Sequence, residues 1–421
     1  MNTKAKIKVV DSIMGQGKTT WAINYMKNNP KERFMYITPF LDEVERVKQE
    51  LPKAKSPYVN HKEKKAKLDT LRDYTFNGDT IVTTHALLSR FDLDIQENIQ
   101  IGEYTLILDE VASIAEEFSF KTETDKKDFF DYYAYIDEDG YVRWDETKHP
   151  IDKYSKGSKF YEEMVLCLNG HLLSVNDKLM MWELPVNIFK QFKEVFILTY
   201  LFQGSIQKPY FDLYNVEYEY LSIKQGELIP YEPTPREVKQ ELSSLINIVN
   251  NDKLNSIGDE YYALSSSWFR KNVKKGSVYT ESLRKRGNNF FKTYCKGNAK
   301  DNMVTTLKEK YSLISDKGWS SSKTSYVSFN VRATNNYIHK KNLAYILNVF
   351  PHASLAMYFS HRSNKISIDE DDFALSILIQ WIWRSRIRNQ SAPKEDRIIN
   401  LYIPSKRMRY ILQSWLELPL E

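Results

Sequence analysis

Short, nearly continuous apolar runs recur along the first half of the chain, each followed by a polar turn and a mixed stretch. The runs at 6–10 (KIKVV), 33–40 (RFMYITPF), 79–91 (DTIVTTHALLSRF), 104–113 (YTLILDEVAS) and 193–205 (KEVFILTYLFQGS) read as strands. Residues 18–28 and the stretch DEVERVKQEL read as helices, the second capped by Asp42, and HKEKKAKLDTLRDY reads as a charged helix with a solvated face. Apolar runs that do not alternate with polar residues belong to strands buried on both faces. Strands separated by helices pair in parallel, so the pattern predicts an α/β fold with a parallel sheet.

After Ala115 the pattern breaks into a charged, aromatic stretch. YAYIDEDGYVRWD reads as a β-hairpin turning at Asp139-Gly140, and about 118–185 reads as an insertion in the first domain. VEYEYLSI is strand-like, and the proline-bearing ELIPYEPTPREVKQ marks a boundary. The expected domains are therefore 1–225 and 240–421. In the second, VKQELSSLINIVNN reads as a helix and DEYYALSSSWFRKN as a strand running into a serine turn. YVSFNVRATNNY reads as a strand leading to a turn with Arg332, Thr334, Asn335 and Asn336, and KKNLAYILNVF as a helix. Residues 371–390 read as one amphipathic helix on which Gln380, Arg384 and Arg388 recur every four residues and share a face, with Arg386 off it. DRIINLYIPSKRMRYILQSWL supplies a last strand and helix.

Chemistry enters at Ser12–Thr19, SIMGQGKT, between the first strand and the first helix. It fits a phosphate-binding loop except that Ser12 stands where the first glycine belongs. Gly15 and Gly17 allow the turn that brings backbone N–H groups together, flanked by Gln16 and Thr20. Lys18 would reach the β- and γ-phosphates of ATP, and the Thr19 hydroxyl would hold Mg²⁺. Such a loop needs a carboxylate at the end of a neighbouring strand, and YTLILDE offers Asp109 for the metal and Glu110 for the attacking water.

The 421 residues allow two domains of ordinary size. Two cysteines, Cys167 and Cys295, make no disulfide framework and no metal spacing, and the N-terminus has no signal-type apolar region. A cytoplasmic protein with no membrane span is expected. The net charge of +5 is unevenly spread: Arg270–Lys300 holds ten Lys/Arg and one acid, a net of +9. Trp268, Phe269, Tyr279, Phe290, Phe291 and Tyr294 are interleaved with it. Cations can follow phosphates and rings can stack on unpaired bases, so Lys274, Lys275, Arg284, Lys285 and Arg286 are candidate nucleic-acid contacts.

Seven segments taken in order resemble the motifs of a superfamily 2 (or superfamily 1) nucleic-acid helicase, especially the compact kind encoded by bacteriophages. SIMGQGKT resembles motif I, YITPFLDEV motif Ia, IVTTHALL the motif Ib/Ic region, LILDEVAS motif II, ILTYLF motif III, NVRATNNY motif V and QWIWRSRIRN motif VI. The resemblance implies two RecA-like P-loop domains with parallel sheets, ATP in a cleft and a single strand crossing both. It implies nucleic-acid contacts at Thr38, Pro39, Thr84 and His85, and a coupling role for Thr199. It implies nucleotide contact for Gln380 and finger roles for Arg384 and Arg388. The sequence departs from the pattern at Ser12, at the D-E-V-A form of motif II and at Trp383, where motif VI usually has glycine.

The leading reading is an ATP-dependent DNA helicase or translocase of phage replication or recombination, acting on single-stranded or forked DNA with replication proteins as possible partners. A second is a nucleic-acid-stimulated ATPase that loads or remodels a complex without unwinding. A third is a phosphate-loop small-molecule kinase, which leaves the second α/β domain unexplained. The insertion reads as a wedge, a duplex sensor or a partner-docking site.

Overall fold

The computed structural model describes residues 6–176, 179–316, 325–330 and 336–419, so Arg332, Thr334 and Asn335 of the expected polar turn lie outside the described residues. The chain forms two compact units. One comprises Met1–Ser12, Gln16–Tyr231 and His352–Ile368; the other comprises Ile13–Gly15, Glu232–Pro351 and Asp369–Glu421.

The first unit is built on β1 (Lys6–Asp11), β2 (Phe34–Thr38), β3 (Ile81–Thr84) and β4 (Thr105–Asp109). An insertion follows, with β5 (Ala115–Phe118), β6 (Ala134–Ile136), β7 (Val142–Trp144), β8 (Leu172–Asn176) and β9 (Leu179–Glu183). The main sheet resumes with β10 (Glu194–Thr199), β11 (Tyr218–Lys224) and β12 (Glu227–Pro230). Its order is β12-β11-β1-β10-β4-β2-β3, parallel throughout except that β12 runs against β11. Strand alternation sends Val10, Tyr36, Ile107 and Leu198 into one core, with Trp21 and Met26 of the first helix. It sends Val9, Met35, Ile37 and Leu106 into the other. Both faces are covered, which is why these strands read as continuous apolar runs.

The insertion carries the antiparallel sheet β5-β9-β8 and the hairpin β6-β7, and has a core of its own around Phe129, Trp144, Phe160 and Met164. The expected charged helix begins only at Lys67, where Asp69 accepts the Ala66 N–H; the residues before it form turns.

The second unit holds β13 (Ile246–Ile248), β14 (Asn302–Thr305), β15 (Asn342–Tyr345) and β16 (Ile399–Tyr402), all parallel in the order β13-β16-β15-β14. Thus α/β architecture with mainly parallel sheets holds in both units. Side-chain amides bind across the sheet in a row: Asn342 donates to Asn302 at 3.1 Å, Asn400 to Asn342 at 3.1 Å, and Asn247 to Asn400 at 3.4 Å.

Several sequence expectations fail here for physical reasons, among them the helix expected over VKQELSSLINIVNN, which ends at Leu245 where the chain enters the sheet as β13. Asn342–Tyr345 is a strand, not part of a helix, because a strand buried on both faces has the same apolar run as a buried helix. Ser266–Asn272 is helical, started by Ser265, whose hydroxyl accepts the Trp268 N–H at 3.3 Å. The helix expected over 371–390 runs only from Glu370 to Ile382. It stops where the Ser385 hydroxyl donates to the Ile382 carbonyl at 2.7 Å and the Arg386 N–H turns to the Lys340 carbonyl at 3.0 Å.

Residues 352–368, placed by the sequence pattern in the second domain, belong to the first unit. Tyr358 and Phe359 of the helix Ala353–Arg362 enter its core, with Leu355, Ile366 and Ile368 packed beside them. The Tyr358 hydroxyl donates to Glu183 Oε2, and the Tyr214 hydroxyl donates to Glu183 Oε1. Tyr141 reaches the same oxygen at 3.4 Å, and Arg362 donates to the Tyr214 hydroxyl and the Asp139 carbonyl, both at 3.2 Å. Burial pushes the Glu183 carboxyl up, while the tyrosine hydroxyls and Arg362 pull it down. No helix among the described residues is long and apolar enough to cross a membrane.

Candidate nucleotide site

β1 ends at Asp11, and the loop that follows enters the helix Lys18–Asn28 at Gly17. Gly15 and Gly17 have φ of 87° and 84°, a left-handed backbone that glycine adopts without strain. The first turn of this helix leaves N–H groups without intrahelical acceptors and points its positive dipole end at the loop, which suits an anion. Gln16 and Thr20 are exposed, and Lys18 and Thr19 are half-buried. Lys18 Nζ donates to the Ser12 carbonyl. Burial lowers the Lys18 pKa, opposed by the negative charges of Glu110, Asp109 and Asp11, so this cation faces a set of carboxylates.

Ser12 has a structural reason to replace glycine. Its buried hydroxyl accepts the Ile223 N–H of β11 at 2.8 Å, and its own N–H binds the Thr199 carbonyl of β10 at 3.1 Å. Asp11, which sequence reasoning passed over, fixes the next turn. Its two carboxylate oxygens accept the Leu201 and Phe202 N–H groups, each at 2.9 Å, where Leu201 has a φ of 56°. The start of the glycine loop and the end of the Thr199 strand are therefore tied together, and Asp11 and Thr199 are register partners.

Asp109 ends β4 and is buried, with Tyr36 of β2 donating to its Oδ2 at 2.9 Å. Burial first, and then the charge of Glu110, push its carboxyl up to about 7. A nearby divalent cation would reverse that effect and favour the carboxylate. Glu110 adopts a φ of 67°, a conformation that costs a side-chain-bearing residue energy and clusters at functional sites. Its N–H is held by the Leu198 carbonyl at 2.9 Å, and its buried Oε2 has no hydrogen-bond partner among the described residues. An orphaned carboxylate oxygen beside a raised carboxylic acid suits a hydrated Mg²⁺ held by Thr19 and Asp109, which needs only one or two protein ligands beside phosphates. No group of three or more His, Cys, Asp or Glu able to hold a metal occurs among the described residues.

The remaining candidates scatter. Thr38 is fully buried, its hydroxyl without a hydrogen-bond partner among the described residues, so its side chain presents nothing to a strand on the surface. Its register partner Thr84 and its neighbour Pro39 are partly exposed. His85 starts the short helix His85–Leu88, and its Nε2 binds the Asp109 carbonyl at 3.0 Å, which joins it to the end of β4. Arg284 and Arg286, expected on nucleic acid, are half-buried and hydrogen-bonded within the second unit. Arg284 binds Glu281 and the Leu313 carbonyl, and Arg286 binds the Leu254 carbonyl, Ser256 and Ser282. Phe269, Phe290 and Phe291 are core residues. Lys274, Lys275 and Lys285 stay exposed, as do Tyr279 and Tyr294. Gln380 is on the Glu370–Ile382 helix, but Arg384 and Arg388 lie beyond its end, so no shared helical face joins the three. Arg384 is buried and Arg388 half-buried.

The family model of the YonV C-terminal Rossmann-like domain matches residues 240–416. A curated relative, the SPbeta prophage-derived uncharacterized protein YonV of Bacillus subtilis (strain 168), is 39% identical over 423 residues, covering 98% of this chain and 99% of its own length. Among solved structures, apo XPD superposes with a TM-score of 0.44 at 11% identity, covering 98% of this chain and 96% of the other. S. tokodaii Xpd4 superposes with a TM-score of 0.48 at 10% identity, covering 99% and 94%.

Proposed function

This chain belongs to the YonV family, and from that premise we propose that it is an ATP-hydrolysing nucleic-acid motor, a DNA helicase or translocase of phage replication or recombination. The observation that carries the reading is the pairing of Lys18 with Asp109 and Glu110. The lysine starts a helix after a glycine turn. The acids end a parallel strand of the same sheet, and one of them is strained with an open carboxylate oxygen.

In this reading the backbone of Gly15, Gln16 and Gly17 cradles the phosphates of ATP, Lys18 neutralises their charge, and Thr19 and Asp109 hold Mg²⁺. Glu110 orients the water. Asp11 and Thr199 pass the state of the loop to the turn at Leu201. Gln380 contacts nucleotide, and Arg384 and Arg388 meet γ-phosphate charge. Exposed Lys274, Lys275 and Lys285 follow the backbone of single-stranded or forked DNA, with Pro39, Thr84 and His85 on the first unit. The prophage origin of the relative supports a role in the host cytoplasm beside replication proteins.

The deciding experiment is steady-state ATP hydrolysis with and without single-stranded DNA, duplex DNA and single-stranded RNA. A rise of tenfold order with DNA is expected. A rate indifferent to all three removes the motor reading.

A further inference from the structure

The basic segment of the second unit accounts for the chain's positive charge, but the insertion carries the opposite sign. Residues 118–185 hold fourteen Asp/Glu and nine Lys/Arg, a net of −5 in a chain of +5. The imbalance concentrates at the β6-β7 hairpin: residues 128–142 contain five acids and no Lys or Arg. Asp128 pairs with Lys159 at 2.9 Å and Asp137 with Arg143 at 2.7 Å; Asp131, Glu138 and Asp139 are exposed. Such a surface repels phosphates, which argues against a duplex wedge or sensor here.

The same hairpin exposes apolar area. Tyr132 is 63% exposed, Tyr135 54% and Ile136 47%. Among the described residues β6 has a single neighbouring strand, β7. The Tyr133 carbonyl accepts from Asp145 at 2.8 Å and the Asp137 N–H binds the Tyr141 carbonyl at 2.9 Å. Those hydrogen bonds fix the alternation, so the N–H and C=O of Ile136 point away from β7. An open strand edge between exposed rings and carboxylates can accept one more strand.

We propose that β6 is a docking edge for an extended, lysine- or arginine-bearing segment of a partner protein. The segment would pair its backbone with Ile136, set its cations among Asp131, Glu138 and Asp139, and lay their stems over Tyr132 and Tyr135. This assignment stands apart from the nucleotide reading.

The test uses the full chain and a short synthetic peptide of alternating valine and lysine, with the peptide carrying glutamate for lysine as control, read by calorimetry. Saturable binding of the lysine peptide alone is expected. It should weaken about tenfold in Ile136→Pro, which removes the edge donor, and in Glu138→Lys/Asp139→Lys, with folding checked by circular dichroism. Absence of saturable binding overturns the proposal, as does binding that ignores both variants. Self-association of the chain abolished by Ile136→Pro would make the occupant a second copy. Protection of residues 131–139 from hydrogen exchange by DNA would make it a nucleic acid. Either overturns the assignment.

Discussion

The hydroxyl of Tyr358 donates to the carboxylate of Glu183, joining a helix from late in the chain to the last strand of the insertion. Removing one partner of a buried hydrogen bond costs about 1–3 kcal/mol. Tyr358→Phe should therefore lower unfolding stability by roughly that amount and speed hydrogen exchange over 353–362 first. Unchanged exchange there would show that apolar packing alone holds the helix.

Glu183 also predicts a pH dependence. Burial raises its pKa in the folded protein, so the stability linked to its proton is complete below the unfolded value and is lost as pH rises through the folded one. Denaturation midpoints of the Glu183→Gln protein should fall less steeply with rising pH over that range than those of the parent.

Restoring the usual glycine at the loop should harm the protein. Ser12→Gly leaves the Ile223 N–H buried without its acceptor, at a cost of about 1–3 kcal/mol measured by urea unfolding. A neutral or stabilised variant would mean that water replaces the hydroxyl.

Lys18→Ala should reduce ATP hydrolysis at least roughly a hundredfold while DNA binding persists. Tyr36→Phe should raise the Mg²⁺ requirement, because its hydroxyl lowers the pKa of a carboxyl already pushed up to about 7. The difference should be largest below neutral pH and shrink above it, where Asp109 ionises without help. Titrating Mg²⁺ against hydrolysis at several pH values reads this directly.

The basic segment should split by role. Arg286→Ala should cost about 1–3 kcal/mol of stability, since the guanidinium holds the Leu254 carbonyl, Ser256 and Ser282. Lys274→Ala or Lys275→Ala should leave stability alone and reduce the salt slope of DNA binding by about 1.

The glycine turn after β1, the two acids at the end of β4 and the hairpin at Gly140 were legible because each depends on local rules: a turn, a strand end, a two-strand alternation. The Glu370–Ile382 helix was legible only in part. Its apolar period continues through Trp383, and what stops it is the Lys340 carbonyl, forty-odd residues away in sequence. Asp11 and Tyr36 gave no signal, because the partner of each is remote in sequence: the turn at Leu201 and Phe202 for Asp11, and Asp109 of β4 for Tyr36. Arg284 and Arg286 looked like their exposed lysine neighbours, and only tertiary hydrogen bonds separate them. Charge counting placed the basic segment but could not show which cations were already engaged.

The excursion of residues 352–368 also governs the order in which the protein can be made. A nascent chain that has emerged only as far as Tyr231 still lacks Tyr358 and Phe359, which complete the core of its first unit. Those residues leave the ribosome after β13, β14 and β15 of the second unit. The first unit is therefore complete only after much of the second has emerged. The chain's first half waits with an apolar wall uncovered, a period in which a chaperone has something to hold.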